Sequence, residues 1–482
     1  MQKLALFMIV AVTTVEFFVV GDKWERFRWL PKPLAYLPEL TGVAAIVLVV
    51  ALGVQTRFRF VRPTYWIVFG LLLLTAAAGA IANNVEPGVL FAGLRNYLRA
   101  LPWFFIPAVY LFGDRNLRQQ LRWLLVICLI QVPIAIEQRI QTALGHRRFG
   151  IEAVTGDWTT GTLLQSGPLT IFLICAACVL AAFALRRLLP WKKFAFLFLL
   201  VLVPTMINET KITLVLLPLG LALTFMHAGA RRARIKQLLG ATGLLALFLV
   251  LFVPIYDALT ANREYGVPLS EYFTNPDYTR SYLFTNRDVG TSASNAGRGD
   301  ALVVGTRDTL SEPVRAFLGL GIGNASRSAL GDQFSGHYWR IYSPFTITGY
   351  TRIVLELGLL GFSLLSLFYW LVIKDARIVA ARAGGATGAL AAAWPAVTVI
   401  AFLTLFYTTI EAFASLSYTF FLYAGYMAAE RMRLAEAAAL AGMPDARERA
   451  AEEARGVVMP GAGEPAPVYR YGHEGRAHGT TT

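Results

Sequence analysis

One polar stretch, residues 257–345, interrupts a long series of apolar segments, and this alternation constrains the fold more than any other feature of the chain. Connections between helices of a compact domain are usually only a few residues long, so a stretch of this length indicates a segment with its own structure or function. It is also rich in arginine. Its basic residues include Arg263, Arg280, Arg287, Arg298, Arg307, Arg315, Arg327 and Arg340.

The apolar segments are long enough to cross a lipid bilayer, whose hydrocarbon core of about 30 Å takes roughly 20 helical residues. The composition agrees, because 56% of the residues are hydrophobic and only 15% are charged, against about 45–50% and about 25% in soluble domains. The sequence therefore predicts an all-α polytopic membrane protein with about twelve transmembrane helices. The predicted spans are Leu4–Val20, Leu37–Val54, Tyr65–Ile81, Ala100–Phe112, Leu121–Ile136, Thr162–Leu185, Phe194–Ile207, Ile212–His227, Leu238–Tyr256, Thr348–Ile373, Ala392–Ile410 and Ser415–Ala429.

Basic residues between the predicted helices set the expected orientation. With twelve spans, six basic clusters fall on one side of the membrane, which the positive-inside rule makes the cytoplasm. The loop at residues 21–36 departs from this rule, since it would be external yet carries four basic residues. The six clusters are Arg57/Arg59/Arg62, Arg115/Arg118/Arg122, Arg186/Arg187 with Lys192/Lys193, Arg231/Arg232/Arg234/Lys236, Lys374/Arg377/Arg382 and Arg431/Arg433.

This topology divides the chain into four parts. Residues 1–256 form helices one to nine, and residues 257–345 form one large, partly helical periplasmic loop between helices nine and ten. Residues 346–429 form helices ten to twelve, and residues 430–482 form a cytoplasmic tail that is partly disordered. Both termini are then cytoplasmic; in a bacterium the membrane would be the inner membrane, and the side of the large loop would be the periplasm.

Charge and cysteine usage argue against two common functions. The net charge of +14 follows from the basic loops, and no nucleic-acid-binding pattern accompanies it. Cys128, Cys175 and Cys178 all lie in apolar stretches, which predicts buried, inert thiols rather than a zinc or redox site.

Two short external turns carry candidate functional residues. Before the sixth predicted helix, Trp158 is followed by a run of threonine, glutamine and serine that ends at Pro168. This run could cap a helix at the membrane interface or form a polar lip for a sugar. Between helices seven and eight, Lys211 follows Glu209 and opens an apolar helix. Lys211 could snorkel and pair with Glu209, but binding of a lipid pyrophosphate near a helix N-terminus is favoured.

The large loop contains one clear helical pattern. It begins at Gly297-Arg298 and ends at a proline-containing turn followed by the GxGxG run at residues 319–323. No strand precedes this run, so it is not a dinucleotide-binding fingerprint. Arg298 and Arg315 are candidates for binding an anionic group.

Further candidates follow this helical pattern. His337 is the single histidine of the loop, and such a residue is more often solvated or structural than catalytic. Tyr338, Trp339 and Tyr350 could stack on sugar rings or belong to the aromatic belt of the interface. Arg352 and Glu356 are the last candidates, and their i, i+4 spacing allows them to pair on one helix face. Ionisable residues in a membrane segment are costly, so both are candidates for a functional role.

These parts, in this order, resemble the O-antigen ligase and Wzy-type polymerase superfamily over roughly residues 65–429. Three local patterns carry the resemblance. They are Thr160-Gly161-Thr162 with the polar run to Pro168, Gly297-Arg298 followed by Glu312-Pro313 and Leu318-Gly319-Leu320-Gly321, and Glu356-Leu357-Gly358-Leu359-Leu360-Gly361. The resemblance implies inverting, metal-independent transfer of a glycan from undecaprenyl pyrophosphate to an acceptor sugar hydroxyl, with no cofactor.

Two departures from the family pattern bear on the type of enzyme. The family often has a Ser-Arg pair where this chain has Thr210-Lys211, which keeps the charge but loses the bidentate fork of arginine. Ligases of the family usually place a His-Asn pair near the position of Ile347-Thr348, where this chain has no histidine. The second departure favours an O-antigen or exopolysaccharide repeat-unit polymerase over a ligase that transfers glycan to the lipid A core.

The resemblance also implies roles for the candidates. Cations would stabilise the departing pyrophosphate, a base would take the acceptor proton, and aromatic rings would contact sugar. The residues are Arg298, Lys211, Arg315 and Arg352 for the pyrophosphate, His337 and Glu356 for the base, and Trp158, Tyr338, Trp339 and Tyr350 for sugar.

The expected partners are an undecaprenyl-pyrophosphate-linked oligosaccharide, membrane lipid, and other polysaccharide assembly and chain-length proteins. Two alternatives besides the ligase stay open: a C-type glycosyltransferase that uses a polyprenyl-phosphate sugar, and a lipid-linked glycan transporter.

Overall fold

The described part of the chain folds into helices and contains no strand. A computed structural model describes residues 2–20, 31–56, 58, 60–110, 112–144, 159–163, 165–228, 234–260, 268–280, 284, 297–328, 330–342, 348–408 and 414–442. The chain divides into two units, Met1–Leu434 and Ala435–Thr482.

The α-helices are numbered in chain order. They are α1 (Gln2–Thr14), α2 (Leu37–Thr56), α3 (Pro63–Ala82), α4 (Pro87–Leu98), α5 (Leu101–Val109), α6 (Asp114–Ala143), α7 (Ser166–Leu185), α8 (Trp191–Ile207), α9 (Thr213–Ala228), α10 (Arg234–Thr260), α11 (Leu269–Thr274), α12 (Pro276–Arg280), α13 (Arg298–Leu310), α14 (Pro313–Leu318), α15 (Trp339–Tyr342), α16 (Gly349–Arg382), α17 (Gly385–Leu403) and α18 (Ala414–Gly442). A π-helix (Val15–Val20) continues α1, and short 3-10 helices lie at Lys32–Tyr36, Asp332–Phe334 and Thr404–Phe406.

Six helical segments of the described chain are long and apolar enough to cross a membrane, which indicates a multi-pass membrane protein. They are Pro63–Ala82, Asp114–Ala143, Ser166–Leu185, Thr242–Leu259, Gly349–Arg382 and Gly385–Phe406. Shorter apolar helices lie at Leu6–Phe18, Leu37–Ala51 and Thr213–Ala228. The all-helical fold class is confirmed, whereas the count of twelve spans and the periplasmic side of the loop stay predictions.

The fourth predicted span, Ala100–Phe112, differs from the helix in the structure. Helix α5 has only nine residues, or about 14 Å at 1.5 Å per residue, which is too short for a hydrocarbon core of about 30 Å. A turn at Arg99 and Ala100 separates α5 from α4. Pro102 lies in the first turn of α5 and cannot donate a backbone hydrogen bond back to α4.

Helix α17 lies at the centre of the bundle and packs against α7, α9 and α16. Most of its residues are buried, and many of them are alanine. Small side chains let helix backbones approach closely, which is how membrane helices gain packing contacts without a hydrophobic driving force between them. The buried alanines are Ala386, Ala389, Ala391, Ala392, Ala393, Ala396 and Ala401.

One end of the bundle gathers the basic loops, and we call it the basic end, defined by Arg62, Asp114, Arg186, Asp375 and Arg431. The fully buried Asp375 pairs with Arg62 at 3.2 Å and also with Arg431. Arg186 donates to a carbonyl near the end of α16 at 2.6 Å. Asp114 accepts backbone N–H groups at the start of α17. Contacts among these residues therefore join segments that carry five of the six predicted basic clusters.

Part of the large loop packs on the bundle, because α13 and α14 contact α16 and α14 also contacts α3. The GxGxG run that follows α14 is a turn in which Gly319, Gly321 and Gly323 have φ values of 71°, 90° and 84°. A Cβ at Gly323 would lie 2.4 Å from the Val89 carbonyl oxygen of α4. These glycines thus serve a left-handed turn that lies directly against helix backbone.

Gly358 makes the matching break in α16, where its φ of 65° interrupts the helical backbone. At the break, the Leu355 carbonyl accepts the N–H of Leu320 at 2.6 Å. The break and the glycine turn therefore fit together and fix the chain beyond α14 against α16.

Candidate functional site

The candidate site lies at the end of α16 away from Asp375. Glu356 and Asp375 are 19 residues apart on this helix, or about 28 Å at 1.5 Å per residue. That distance is close to the thickness of a hydrocarbon core, about 30 Å. We call this the loop end, formed by the start of α7, α13 and α16, the turn between α8 and α9, and the segment after α17.

The turn at Thr160-Gly161-Thr162 is held by two glutamines of α6. Gln138 Oε1 accepts the N–H groups of Thr160 at 3.0 Å and Gly161 at 2.8 Å, and Gln138 Nε2 donates to the Gly161 carbonyl at 2.8 Å. Gln131 Oε1 accepts the N–H of Thr162 at 2.9 Å. Both glutamines are buried. The polar groups of this turn are thus used to build the entry to α7.

The turn between α8 and α9, which carries Lys211, is anchored to two other helices. Asn208 Nδ2 donates to the Ser166 carbonyl at 3.1 Å and to Thr170 Oγ1 at 2.8 Å, both on α7. Glu209 forms an ion pair with Arg139 of α6 at 2.9 Å, and both side chains are largely buried. Lys211 is therefore held on a fixed backbone beside the first turn of α7.

Arg298 begins α13 and lies 4.5 Å from the centre of the Tyr407 ring, within range of a cation–π contact. The same ring lies against α7, because a Cβ at Gly167 would be 2.7 Å from Tyr407 Cε1. Tyr407 and the first turn of α7 thus connect Arg298 to the turn that carries Lys211.

The predicted pair of Arg352 and Glu356 is confirmed, with Arg352 Nε 3.8 Å from Glu356 Oε2. The Arg352 guanidinium also lies 5.5 Å from the centre of the Tyr97 ring. Glu356 is 0% exposed. Its Oε1 accepts the Ser326 hydroxyl and the N–H of Ala325, the latter at 3.2 Å.

His337 is exposed and is positioned through Asn324. Its backbone N–H donates to Asn324 Oδ1 at 3.1 Å, and the N–H of Tyr338 donates to the Asn324 carbonyl at 3.0 Å. Asn324 immediately precedes the Ala325-Ser326 segment that Glu356 binds. A continuous set of contacts therefore runs from the Glu356 carboxylate to the His337 backbone.

The aromatic candidates have different surroundings. Tyr338 and Trp339 are half-buried near His337. Tyr350 packs edge-on against Phe362 and Phe402 and donates its hydroxyl to the Phe402 carbonyl at 2.8 Å, which is the environment of a helix-packing residue. Trp158 lies outside the described residues.

Arg315 and Tyr342 of the large loop bind other residues of the same loop. Arg315 pairs with Glu312 at 3.2 Å, three residues earlier and on the surface. Burial raises the pKa of the Tyr342 phenol, and its hydrogen bond to the Asp308 carboxylate raises it further. That bond, 2.9 Å long, ties α15 to α13.

Several residues of the loop end were not identified from the sequence. Glutamine on an otherwise apolar helix was the available signal for Gln131 and Gln138, since buried polar residues in membrane segments need partners. Arg139 and Tyr407 carried no such signal, because each fits equally well at the end of an apolar helix. The missed residues are Gln131, Gln138, Arg139, Tyr407, Asn324 and Ser326.

The loop end has the properties of an anion-binding surface. The first turns of α7, α13 and α16 all contact the segment that follows α17. Because the N-terminus of a helix carries a partial positive charge and free N–H groups, each of these turns favours an anion. Arg139, Lys211, Arg298 and Arg352 add cationic side chains at the same end of the bundle, where Glu209 pairs with Arg139 and Glu356 pairs with Arg352. Within the described residues, no three His, Cys, Asp or Glu side chains form a group that could hold a metal ion.

No protein-family model matches the chain, and no curated protein matches it in sequence.

Proposed function

We propose that this chain is a bacterial inner-membrane polysaccharide polymerase, which transfers a glycan from undecaprenyl pyrophosphate to a sugar hydroxyl of another lipid-linked repeat unit. The observation that supports the proposal is the presence of Arg298, Lys211 and three helix N-termini at the loop end of a membrane bundle, beside two further arginines that pair with carboxylates. In the proposal the large loop lies in the periplasm.

The loop end suits a leaving pyrophosphate. As the glycosyl bond breaks, negative charge grows on the diphosphate, and fixed cations in a partly dehydrated site stabilise that charge. Arg298 rests on Tyr407, and Lys211 stands on a turn anchored by Asn208, so neither cation needs large rearrangement before reaction. We assign the first contacts with the diphosphate to Arg298 and Lys211, and secondary contacts to Arg139 and Arg352. Arg139, Arg352 and Arg315 all pair with carboxylates, and Arg315 contributes least because its pair with Glu312 lies at the surface.

A base must remove the proton of the acceptor hydroxyl. His337 is exposed and can reach a substrate in solution or at the membrane surface. Glu356 is fully buried and is occupied by Ser326, Ala325 and Arg352. We therefore assign the base to His337 and make Glu356 a positioning residue that acts through Asn324. Tyr338 and Trp339, which follow His337, are the aromatic residues placed to contact the acceptor sugar.

The test compares two arginines of the same helix in a purified reconstituted system. Arg298→Ala should lower the rate of chain lengthening by about 10²–10³-fold, the effect of losing one preorganised group that stabilises developing charge. Arg307→Ala is the matched control, because Arg307 is exposed near the other end of α13. The substrate is a lipid-linked repeat unit, and the product length is read on a gel. Wild-type lengthening by Arg298→Ala would remove this residue from the mechanism.

The same assay separates the alternatives. Lengthening that persists in EDTA supports the polymerase, whereas a metal requirement supports a C-type glycosyltransferase. Transfer to lipid A core without lengthening supports a ligase, and movement of the substrate across the vesicle membrane without transfer supports a transporter.

The assignment of the base has its own measurement. His337→Ala should reduce turnover by about 10²–10⁴-fold, the typical contribution of a general base, and should leave donor binding close to that of the wild type. Unchanged turnover of the His337→Ala variant would show that Glu356 or another group is the base.

A further inference from the structure

A second candidate site lies inside the bundle, away from the arginines of the loop end. It is a cavity of about 380 Å³ among α6, α7, α8, α17 and α18, a volume within the usual range for ligand sites, about 300–1,000 Å³. Apart from Arg118, Arg122 and Thr419, its lining is apolar or aromatic. The cavity is thus a hydrocarbon slot with charge at one end.

The cavity is elongated along the membrane helices. Its lining runs along α6 from Arg118 to Cys128 and along α7 from Ile171 to Phe183. At 1.5 Å per residue these stretches measure about 15 Å and about 18 Å. One leaflet is half of a hydrocarbon core of about 30 Å. The slot therefore has the length of one leaflet, and hence of one lipid chain.

The charged end of the cavity coincides with the basic end of the bundle. Arg118 and Asp114 pair at 2.8 Å, and the other oxygen of Asp114 accepts N–H groups at the start of α17, so the Arg118 guanidinium is held in place. Arg122 lies one turn further along α6, is exposed, and forms no ion pair within the described residues. An arginine offers five N–H donors and binds phosphate well.

The cavity also touches helices that build the loop end. Its lining includes residues of α6, which carries Gln131, Gln138 and Arg139, and of α7, whose first turn holds Asn208. An occupant would fill space between these helices and stabilise their packing, because empty cavities forfeit contacts. Occupancy of the cavity would therefore stabilise the arrangement of the loop end.

We propose that this cavity binds an acidic phospholipid, with one acyl chain in the slot and the phosphate at Arg122 and Arg118. Basic pockets between transmembrane helices are known to hold acidic headgroups. The charge favours an acidic over a zwitterionic lipid, and the length matches one chain from the leaflet at the basic end. This site is separate from the proposed site of glycan transfer, and the inference holds whichever reaction the loop end performs.

The experiment measures lipid bound to the full-length protein, purified in detergent, by native mass spectrometry. Phosphatidylglycerol and phosphatidylcholine with identical acyl chains are titrated separately. The wild type should prefer phosphatidylglycerol by about fivefold or more, as expected for one arginine acting on an acidic headgroup. Arg122→Gln should lose most of this preference.

Arg115→Gln is the matched control, since Arg115 is an exposed arginine of the same helix that does not line the cavity. It should keep the preference of the wild type. Ala176→Phe, which places a ring in the slot, should reduce binding of both lipids. Because Arg122 is exposed, its substitution tests the proposal even if Ala176→Phe fails to fold.

Several results would overturn the proposal. Equal binding of the two phospholipids would show that the arginines do not select a headgroup. Equal effects of Arg122→Gln and Arg115→Gln would show that the lipid binds elsewhere. Displacement of phosphatidylglycerol by a lower concentration of undecaprenyl phosphate would make a polyprenyl lipid the occupant.

Discussion

Substitution of Gly358 by alanine tests how the large loop is joined to the bundle. Gly358 has a φ of 65° inside α16, a conformation that costs a residue with a Cβ about 1–2 kcal/mol. The new Cβ would also lie 2.5 Å from the Phe317 carbonyl group and 2.7 Å from the Gly319 nitrogen. These are backbone atoms, so rotation of a side chain cannot relieve the clash.

The neighbouring backbone is itself fixed. Leu320 donates to the Leu355 carbonyl at 2.6 Å, and Asn83 donates to the Gly319 carbonyl at 3.0 Å. Over-packing of a well-packed site typically costs about 1–3 kcal/mol. Adding the backbone term, Gly358→Ala should lower the free energy of unfolding by about 2–5 kcal/mol. It should also slow turnover, because the displaced turn leads to the Ser326 and Ala325 contacts of Glu356.

The assay is unfolding in mixed micelles, followed by circular dichroism, together with chain lengthening. Gly70→Ala is the matched control, since no atom lies within 4 Å of the added methyl group. In a helix interior alanine is favoured over glycine by about 1 kcal/mol, so this control should be neutral or slightly stabilised. Wild-type stability of Gly358→Ala would refute the account of how the loop is joined to α16.

Two further substitutions test the two ends of the bundle. Asp375→Ala should lower the free energy of unfolding in mixed micelles by about 3–5 kcal/mol, because it leaves Arg62 and Arg431 as partly buried cations without their shared carboxylate. A decrease of less than about 1 kcal/mol would show that water replaces the carboxylate of Asp375. Gln138→Leu removes four hydrogen bonds to the Thr160-Gly161 turn, each worth about 1 kcal/mol, and should speed proteolysis near Thr160. The exposed Gln119→Leu on the same helix should not, and equal cleavage of the two variants would argue against the role of Gln138.

The length of the apolar segments and the composition of the chain were enough to predict the class of the fold. The helices that cross or nearly cross a membrane follow the apolar runs, as in α3, α7 and α16. The prediction was weakest at Ala100–Phe112, where hydropathy alone could not show that Pro102 and the turn at Ala100 separate two helices. Proline near the start of a helix is a sequence signal for such a boundary.

The candidate site was predictable in its segments and not in its contacts. The polar run after Thr160, the turn at Lys211 and the helix start at Arg298 each stood out locally. Nothing local indicated that Tyr407, inside a predicted apolar span, would lie between Arg298 and α7. Contacts between residues far apart in sequence depend on the packing of the whole bundle. Local patterns in a single sequence do not show which of these residues come into contact.

The role of Glu356 also could not be predicted from the sequence alone. An acidic residue in a membrane segment is a functional suspect by default, so Glu356 and His337 were both predicted as candidates for the base. In the proposed mechanism we assign the two roles from the burial of Glu356 and its bonds from Ser326 and Ala325, because a carboxylate enclosed by donors is poorly placed to take a proton from a substrate. Only three-dimensional contacts carry that distinction.

In the proposed mechanism Arg298 and Lys211 bind the same departing diphosphate. Direct binding of undecaprenyl pyrophosphate to the purified protein tests it without depending on turnover. Arg298→Ala and Lys211→Ala should each raise the dissociation constant about tenfold or more, which corresponds to about 1.4 kcal/mol, and Arg307→Ala should leave it unchanged. A wild-type dissociation constant in either of the first two variants would contradict the claim.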